Sequence, residues 1–198
     1  MCPIRRTGRW AKGVGLRCLV RNDVKSIASS DTGSEGIESL WIELRNRKGK
    51  KTLMGVMYRP PSNSQDVGQK INQEIEKAYK KGNITIIMGD FNMQVDWENQ
   101  VGSGSQEKEF MECLRDVFFE QLVSEPTREQ AILDLVMCNE ADLIRELKVK
   151  EPLGSSDHNI IEFSLQFERE KLESDVTVLQ LNKGNYKSSW PELIGKGV

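Results

Sequence analysis

The stretch "IIMGDFNMQVDWE", residues 86–98, runs the apolar Ile86, Ile87 and Met88 straight into Gly89, Asp90 and Asn92. A short apolar run of this kind, opening at Ile84 and closed by Gly89, reads as a buried strand. Its exit carries a carboxylate and a carboxamide two residues apart. A carboxylate at the end of a strand costs less than one inside it, because water or a cation can reach it. An ordinary turn explains the tetrapeptide alone equally well, since Gly, Asp and Asn are favoured turn residues. What decides between the two is what else the fold brings to that exit.

Further strand-like segments surround this one. They are "VGLRCLV" (14–20), "SLWIEL" (39–44), "TLMGVMY" (52–58), "ILDLVMC" (132–138) and "NIIEFSLQF" (159–167), all short, apolar and bounded by Gly, Pro, Asn or charge. Between Pro61 and Gly82, Val67, Ile71, Ile75 and Ala78 or Tyr79 recur at helical spacing, with Ser62, Asn63 or Ser64 as N-cap and Gly82 after the end. A second amphipathic stripe after Ser105 comprises Phe110, Cys113, Leu114, Val117 and Phe118. The order of strands and helices predicts a layered α/β domain in which each helix covers a sheet face and chemistry sits on loops at strand ends.

Composition sets the surroundings of that domain. The chain has 198 residues, 37% of them apolar and 29% charged, which suits one globular domain plus a tail. The domain is expected over residues 12–168, and 169–198, opening on the charged "REKLESD", as a linker and tail. No apolar run is long enough to cross a bilayer, and "MCPIRRTGRWAKG" lacks the apolar core of a secretory signal. The expectation is an intracellular protein, nuclear or cytoplasmic, with no membrane partner. Cys2, Cys18, Cys113 and Cys138 form no CxxC pair, so reduced buried thiols are expected in place of a zinc site or disulfides. A net charge of −2 leaves no global electrostatic footprint for nucleic acid.

Two more polar intrusions bear on Asp90. "LGSSDHNIIEF" places Asp157 and the one histidine of the chain, His158, just before an apolar strand. A lone histidine is commonly a surface or satisfied core residue, but this one sits at a turn entering a rigid support. In "AILDLVMCN", Asp134 interrupts an apolar run, and alternation puts it on the same strand face as Ile132 and Val136. A buried carboxylate needs a partner, and an imidazole N–H is a natural one. A local turn or salt bridge is the competing explanation for Asp134.

The segments "GVGLRCLV", "MGVMYRPPS", "IIMGDFNM", "EPTRE", "ILDLVMCN" and "GSSDHNIIEF" occur in an order and at separations that resemble the endonuclease/exonuclease/phosphatase superfamily. More narrowly, they resemble the apurinic-type endonuclease domains of LINE-type, non-long-terminal-repeat retrotransposons of the Jockey and chicken-repeat kind. The resemblance spans Lys12 to Phe167 and implies a DNase I-like β-sandwich flanked by helices. It also implies Mg²⁺-dependent cleavage of a DNA target duplex, with Mn²⁺ as a substitute metal, and a reverse transcriptase domain on the C-terminal side of a parent polyprotein. By the same resemblance, Asp90 would activate the attacking water and Asn92 would bond the phosphate and hold Asp90. His158 would contact the phosphate with Asp134 as its partner, Tyr58 would donate its hydroxyl to the phosphate, and Asp157 and Asp90 would bind the metal.

The resemblance also has a gap. Its pattern places an Asn in an N-x-x-G motif and a metal-binding Glu ahead of the glycine-rich stretch matched by Gly13–Gly15, whereas the first Asn here is Asn22 and the first Glu is Glu35. The chain is therefore expected to lack the first strand–helix–strand unit, and to be a poor or inactive nuclease by itself. Two alternatives stay open, a non-catalytic remnant or binding domain and a related phosphatase or phosphodiesterase acting on a lipid or nucleotide. Arg59 and Arg128, on loops, could contact DNA phosphates but are expected to be solvated. Trp97 could stack on a base, and is expected to plug the core.

Overall fold

The apolar runs at 39–44, 52–58, 84–89 and 132–138 become strands of one central sheet, those at 14–20 and 159–167 join two-stranded sheets, and the computed structural model describes residues 4–7, 16–21, 24–29, 32–46, 49–61 and 65–167. In chain order the elements are β1 (Ile4–Thr7), β2 (Cys18–Arg21), β3 (Ser26–Ala28), β4 (Glu38–Arg45), β5 (Lys51–Tyr58), α1 (Gln65–Tyr79), β6 (Ile84–Asp90), β7 (Val95–Asp96) and β8 (Val101–Gly102). They continue with α2 (Ser105–Asp116), β9 (Glu120–Gln121), β10 (Asp134–Cys138), a 3₁₀ turn (Ala141–Leu143), β11 (Ile144–Lys150) and β12 (Ile160–Leu165). The glycine-rich Gly13–Gly15, the candidate caps Ser62–Ser64 and the chain beyond Phe167 lie outside the described residues.

Six strands form the central sheet in the order β3-β4-β5-β6-β10-β9. β5 and β6 run parallel, joined by α1 as the crossover helix, and the other pairs are antiparallel. Because strand side chains alternate in direction, each run presents a different set to either face. Trp41, Leu53, Met57, Ile87, Leu135 and Met137 pack on one side with Ile71, Ile75 and Ala78 of α1 and Phe110, Cys113 and Leu114 of α2. Ile86, Val136 and Cys138 face the other side, where Leu147, Val149, Ile161, Phe163 and Leu165 of the β11–β12 pair cover them. Val20 joins Ile42 and Leu44 farther along that second face.

Both helices therefore cover one face of the sheet, where the sequence suggested one face each. Strand pairs hold the second face, and two of their strands, β1 and β11, escaped the sequence reading. β11, "IRELKVK", is charged along its exposed side and so lacks a continuous apolar run. The stripe of α2 also ends earlier than expected. The helix stops at Asp116, Phe118 takes a left-handed φ of 54° and its ring is 73% exposed, beside Tyr79. No helix among the described residues is long and apolar enough to cross a membrane.

Two buried features fix the sheet's geometry near its working edge. Gly89 has φ 142°, and a Cβ there would stand 1.9 Å from the Met57 carbonyl oxygen, so only glycine lets β6 lie this close to β5. Glu74 of α1, fully buried, accepts hydrogen bonds from the Trp41 indole N–H at 2.6 Å and the Ser34 N–H at 2.9 Å. Those bonds tie the helix layer to β4 and the loop before it. Cys113 and Cys138 are buried and free, and desolvation pushes the Cys113 thiol up to about 12, which makes it an inert core residue.

Candidate active site

At the end of β6 the alternation that places Ile87 in the helix-side core also directs Asp90 to the opposite face. Phe91 then turns back into the core, fully buried and with its ring centroid 5.4 Å from that of Phe110. This plug anchors the turn and leaves its two polar residues outside the apolar layer. Asn92 follows with φ 45°, a left-handed conformation that Asn tolerates better than most residues. Its side-chain amide donates to Asp90 Oδ2 at 2.8 Å and to the Arg59 carbonyl at 2.9 Å, and its backbone N–H reaches Asp90 Oδ1 at 3.1 Å. Both carboxylate oxygens of Asp90 are thus held by one residue.

Strand register brings the other candidates alongside. Asp134 is the cross-strand partner of Asp90 on β10, and Tyr58 is its partner on β5, so the three stand in one row on the second face of the sheet. His158, entering β12, places Nδ1 2.9 Å from Asp134 Oδ2, and the two side chains are 26% and 19% exposed. Ligand atoms of Asp90, Asp134 and His158 lie within 4.8 Å of one another. With Nδ1–H donated to the carboxylate, Nε2 is the ring nitrogen left to meet a substrate. Burial, and next the charge of Asp134, raise the proton affinity of Asp90, while the Asn92 bonds and His158 work against them.

Asp157 is not part of this group. Its carboxylate is 65% exposed and pairs with the Arg128 guanidinium at 2.6 Å. Both residues lie in a bend before β12, where the His158 N–H donates to Ser156 Oγ at 3.1 Å, and the Arg128 ion pair holds Asp157 outside the group. Arg59 also departs from expectation: far from being solvated, it is buried at 4% exposure. Its guanidinium donates to the carbonyls of Phe91 and Asn92 at 3.3 and 2.9 Å and to Gln106 Oε1 at 2.7 Å, bracing the turn from behind. A loop arginine next to two prolines gives no sequence signal of such a role. Trp97 packs against the helix-side core and lines a groove of about 1020 Å³ whose wall includes Met93, Leu122 and Ile132, so it serves the core as expected.

The site's two carboxylates and imidazole suit a hard divalent cation at Asp90. Mg²⁺ takes oxygen donors, one or two of them carboxylates, and keeps several waters. The imidazole is already engaged by Asp134, and a cation at Asp90 would offset the like charge that Asp134 imposes.

A family model described as "Endonuclease-reverse transcriptase" matches residues 52–162, more than half of the chain. Among solved structures, the endonuclease domain of TRAS1, a telomere-specific non-LTR retrotransposon, superposes with a TM-score of 0.70 at 21% identity, covering 84% of this chain and 81% of that one. An endonuclease/exonuclease/phosphatase family protein from Bacteroides thetaiotaomicron (10% identity, 73% of this chain and 65% of that one) gives a TM-score of 0.47. So does the 3′ phosphatase NExo from Neisseria bound to a product DNA hairpin, at 12% identity over 74% and 71% of the two chains. No curated protein sequence matches. The match over β5 to β12, with the TRAS1 endonuclease fold beneath it, places this chain in the endonuclease–reverse transcriptase family.

Proposed function

We propose that this chain is a retrotransposon-type DNA endonuclease domain that hydrolyses a phosphodiester of a target duplex at the Asp90–Asn92–Asp134–His158 edge. The observation that carries the reading is the 2.9 Å His158–Asp134 pair standing beside a carboxylate held at both oxygens by Asn92. Hydrolysis of a phosphodiester needs an oriented water, positive charge on the phosphoryl oxygens and rigid donors around them. Asp90 orients the water and accepts its proton. Asn92 fixes Asp90, and it would reach the phosphate by trading the bond its amide makes to the Arg59 carbonyl. His158, when protonated on both ring nitrogens, donates Nδ1–H to Asp134 and Nε2–H to a phosphoryl oxygen, and the Tyr58 hydroxyl donates from the next strand. A Mg²⁺ ion at Asp90, or Mn²⁺ in its place, would supply positive charge against the phosphate when bound. Asp157 would join as a second ligand only by exchanging its Arg128 partner.

Such a domain would act in the nucleus, ahead of a reverse transcriptase domain in a longer polyprotein. The test is incubation with supercoiled plasmid, an abasic duplex and a soluble phosphomonoester in parallel, with and without Mg²⁺. Weak Mg²⁺-dependent plasmid nicking with the phosphomonoester left intact is the expected result, since Asp134 and Asp157 are engaged by His158 and Arg128 and leave Asp90 to hold the cation. Release of inorganic phosphate without nicking would support the phosphatase reading, and no turnover of any substrate would support the binding-domain reading.

A further inference from the structure

The His158–Asp134 pair joins two separate sheets, and no strand ladder sets its spacing. β10, which bears Asp134, belongs to the six-stranded sheet, whereas His158 leads into β12 of the β11–β12 pair. The described polar contacts that bridge the two, apart from the pair itself, come from Pro126, Thr127 and Arg128. Thr127 is fully buried in a turn closed by its own N–H to the Ala131 carbonyl at 2.9 Å. Its hydroxyl oxygen accepts the backbone N–H groups of Leu133 and Asp134, each at 3.0 Å. Its carbonyl accepts the N–H of Asn159 at 2.8 Å, and the Asn159 amide donates to the Pro126 carbonyl at 3.1 Å. Arg128 adds the ion pair to Asp157.

One residue therefore grips the chain at Asp134 with its side chain and the chain just after His158 with its backbone. We infer that Thr127 is the positioning residue of the site, holding carboxylate and imidazole at bonding distance across the seam between the two sheets. Buried backbone donors left without an acceptor seek other arrangements, so removal of the hydroxyl would release the start of β10. Misplacement of catalytic groups by about 1 Å can cost roughly 10²-fold in rate.

Because His158 is the one histidine of the chain, its Nδ1–H proton gives a single resonance that reports the bond to Asp134 directly. The inference rests on the phosphodiesterase reading only for its rate arm; the resonance needs no activity. At one fixed pH, Thr127→Val is expected to lose or broaden this signal and to lower kcat for nicking by about 10- to 100-fold with little change in KM. Thr127→Ser, which keeps the acceptor, restores both. Thr85→Val, at another fully buried threonine, lowers the melting temperature but leaves signal and rate alone. Should the valine variant fail to fold, Asn159→Ala cuts an exposed strut of the same strap and is expected to broaden the signal. A sharp wild-type resonance in folded Thr127→Val or in Asn159→Ala would overturn the inference, as would absence of the resonance from the wild type.

Discussion

Asp90 is held in a conflict that its neighbours only partly relieve. Burial and the charge of Asp134 raise its proton affinity, so ionised Asp90 disfavours the folded state. An aspartate whose folded pKa is raised contributes fully to stability only below its unfolded value, about pH 4, and that contribution is lost as pH rises through the folded one. Asp90→Asn is accordingly expected to melt higher than the wild type at pH 7, with the difference shrinking toward pH 4, while nicking falls at least about 10²-fold. Thermal melts across that range check the sign. Asp134→Asn keeps the shape of the pair but favours the wrong imidazole tautomer, and is expected to lower kcat by about 10²- to 10⁴-fold with KM little changed. Asp134 and His158 were legible as partners because a carboxylate in an apolar run demands one. The pairing of Asp157 with Arg128 was not legible, because the two are far apart in sequence, nor was the role of Arg59, because nothing near it in sequence announces that the carbonyls of residues 91 and 92 fold over its guanidinium.

At the scale of elements, the strands with continuous apolar runs were readable and the others were not. β4, β5 and β6 bury both faces and appear nearly residue for residue, whereas β11 carries its charges outward and β7, β8 and β9 are two residues each. α1 ends as its sequence suggests, with Gly82 at φ 65° bonding back to Tyr79. The β5–β6 contact is the element on which the site depends. Gly89→Ala would force a Cβ into the Met57 carbonyl and is expected to abolish folding or cost more than about 3 kcal/mol. Gly154→Ala, also at positive φ but with nothing within 4 Å, is expected to cost about 1 kcal/mol. Chemical denaturation of the two variants compares them directly.

The described residues form three layers, with the helices behind the central sheet and the β11–β12 pair in front of it, and the candidate site lies at one end of that sheet. A ligand that binds only the folded state stabilises it by RT ln(1 + [L]/Kd), about 1.4 kcal/mol at ten times Kd, or roughly 2–5 °C for a domain of this size. Mg²⁺ is expected to raise the melting temperature of the wild type in this way and to leave that of Asp90→Asn unchanged. A shift of the same size in both proteins would place the cation elsewhere. The claim beneath all of this is that residues from three distant segments converge to cleave one phosphodiester. The most direct measurement is Mg²⁺-dependent nicking of supercoiled plasmid by the wild type beside Asp90→Ala and His158→Ala. The account requires nicking by the wild type that falls about 10²-fold or more in both variants; equal nicking by all three proteins would contradict it.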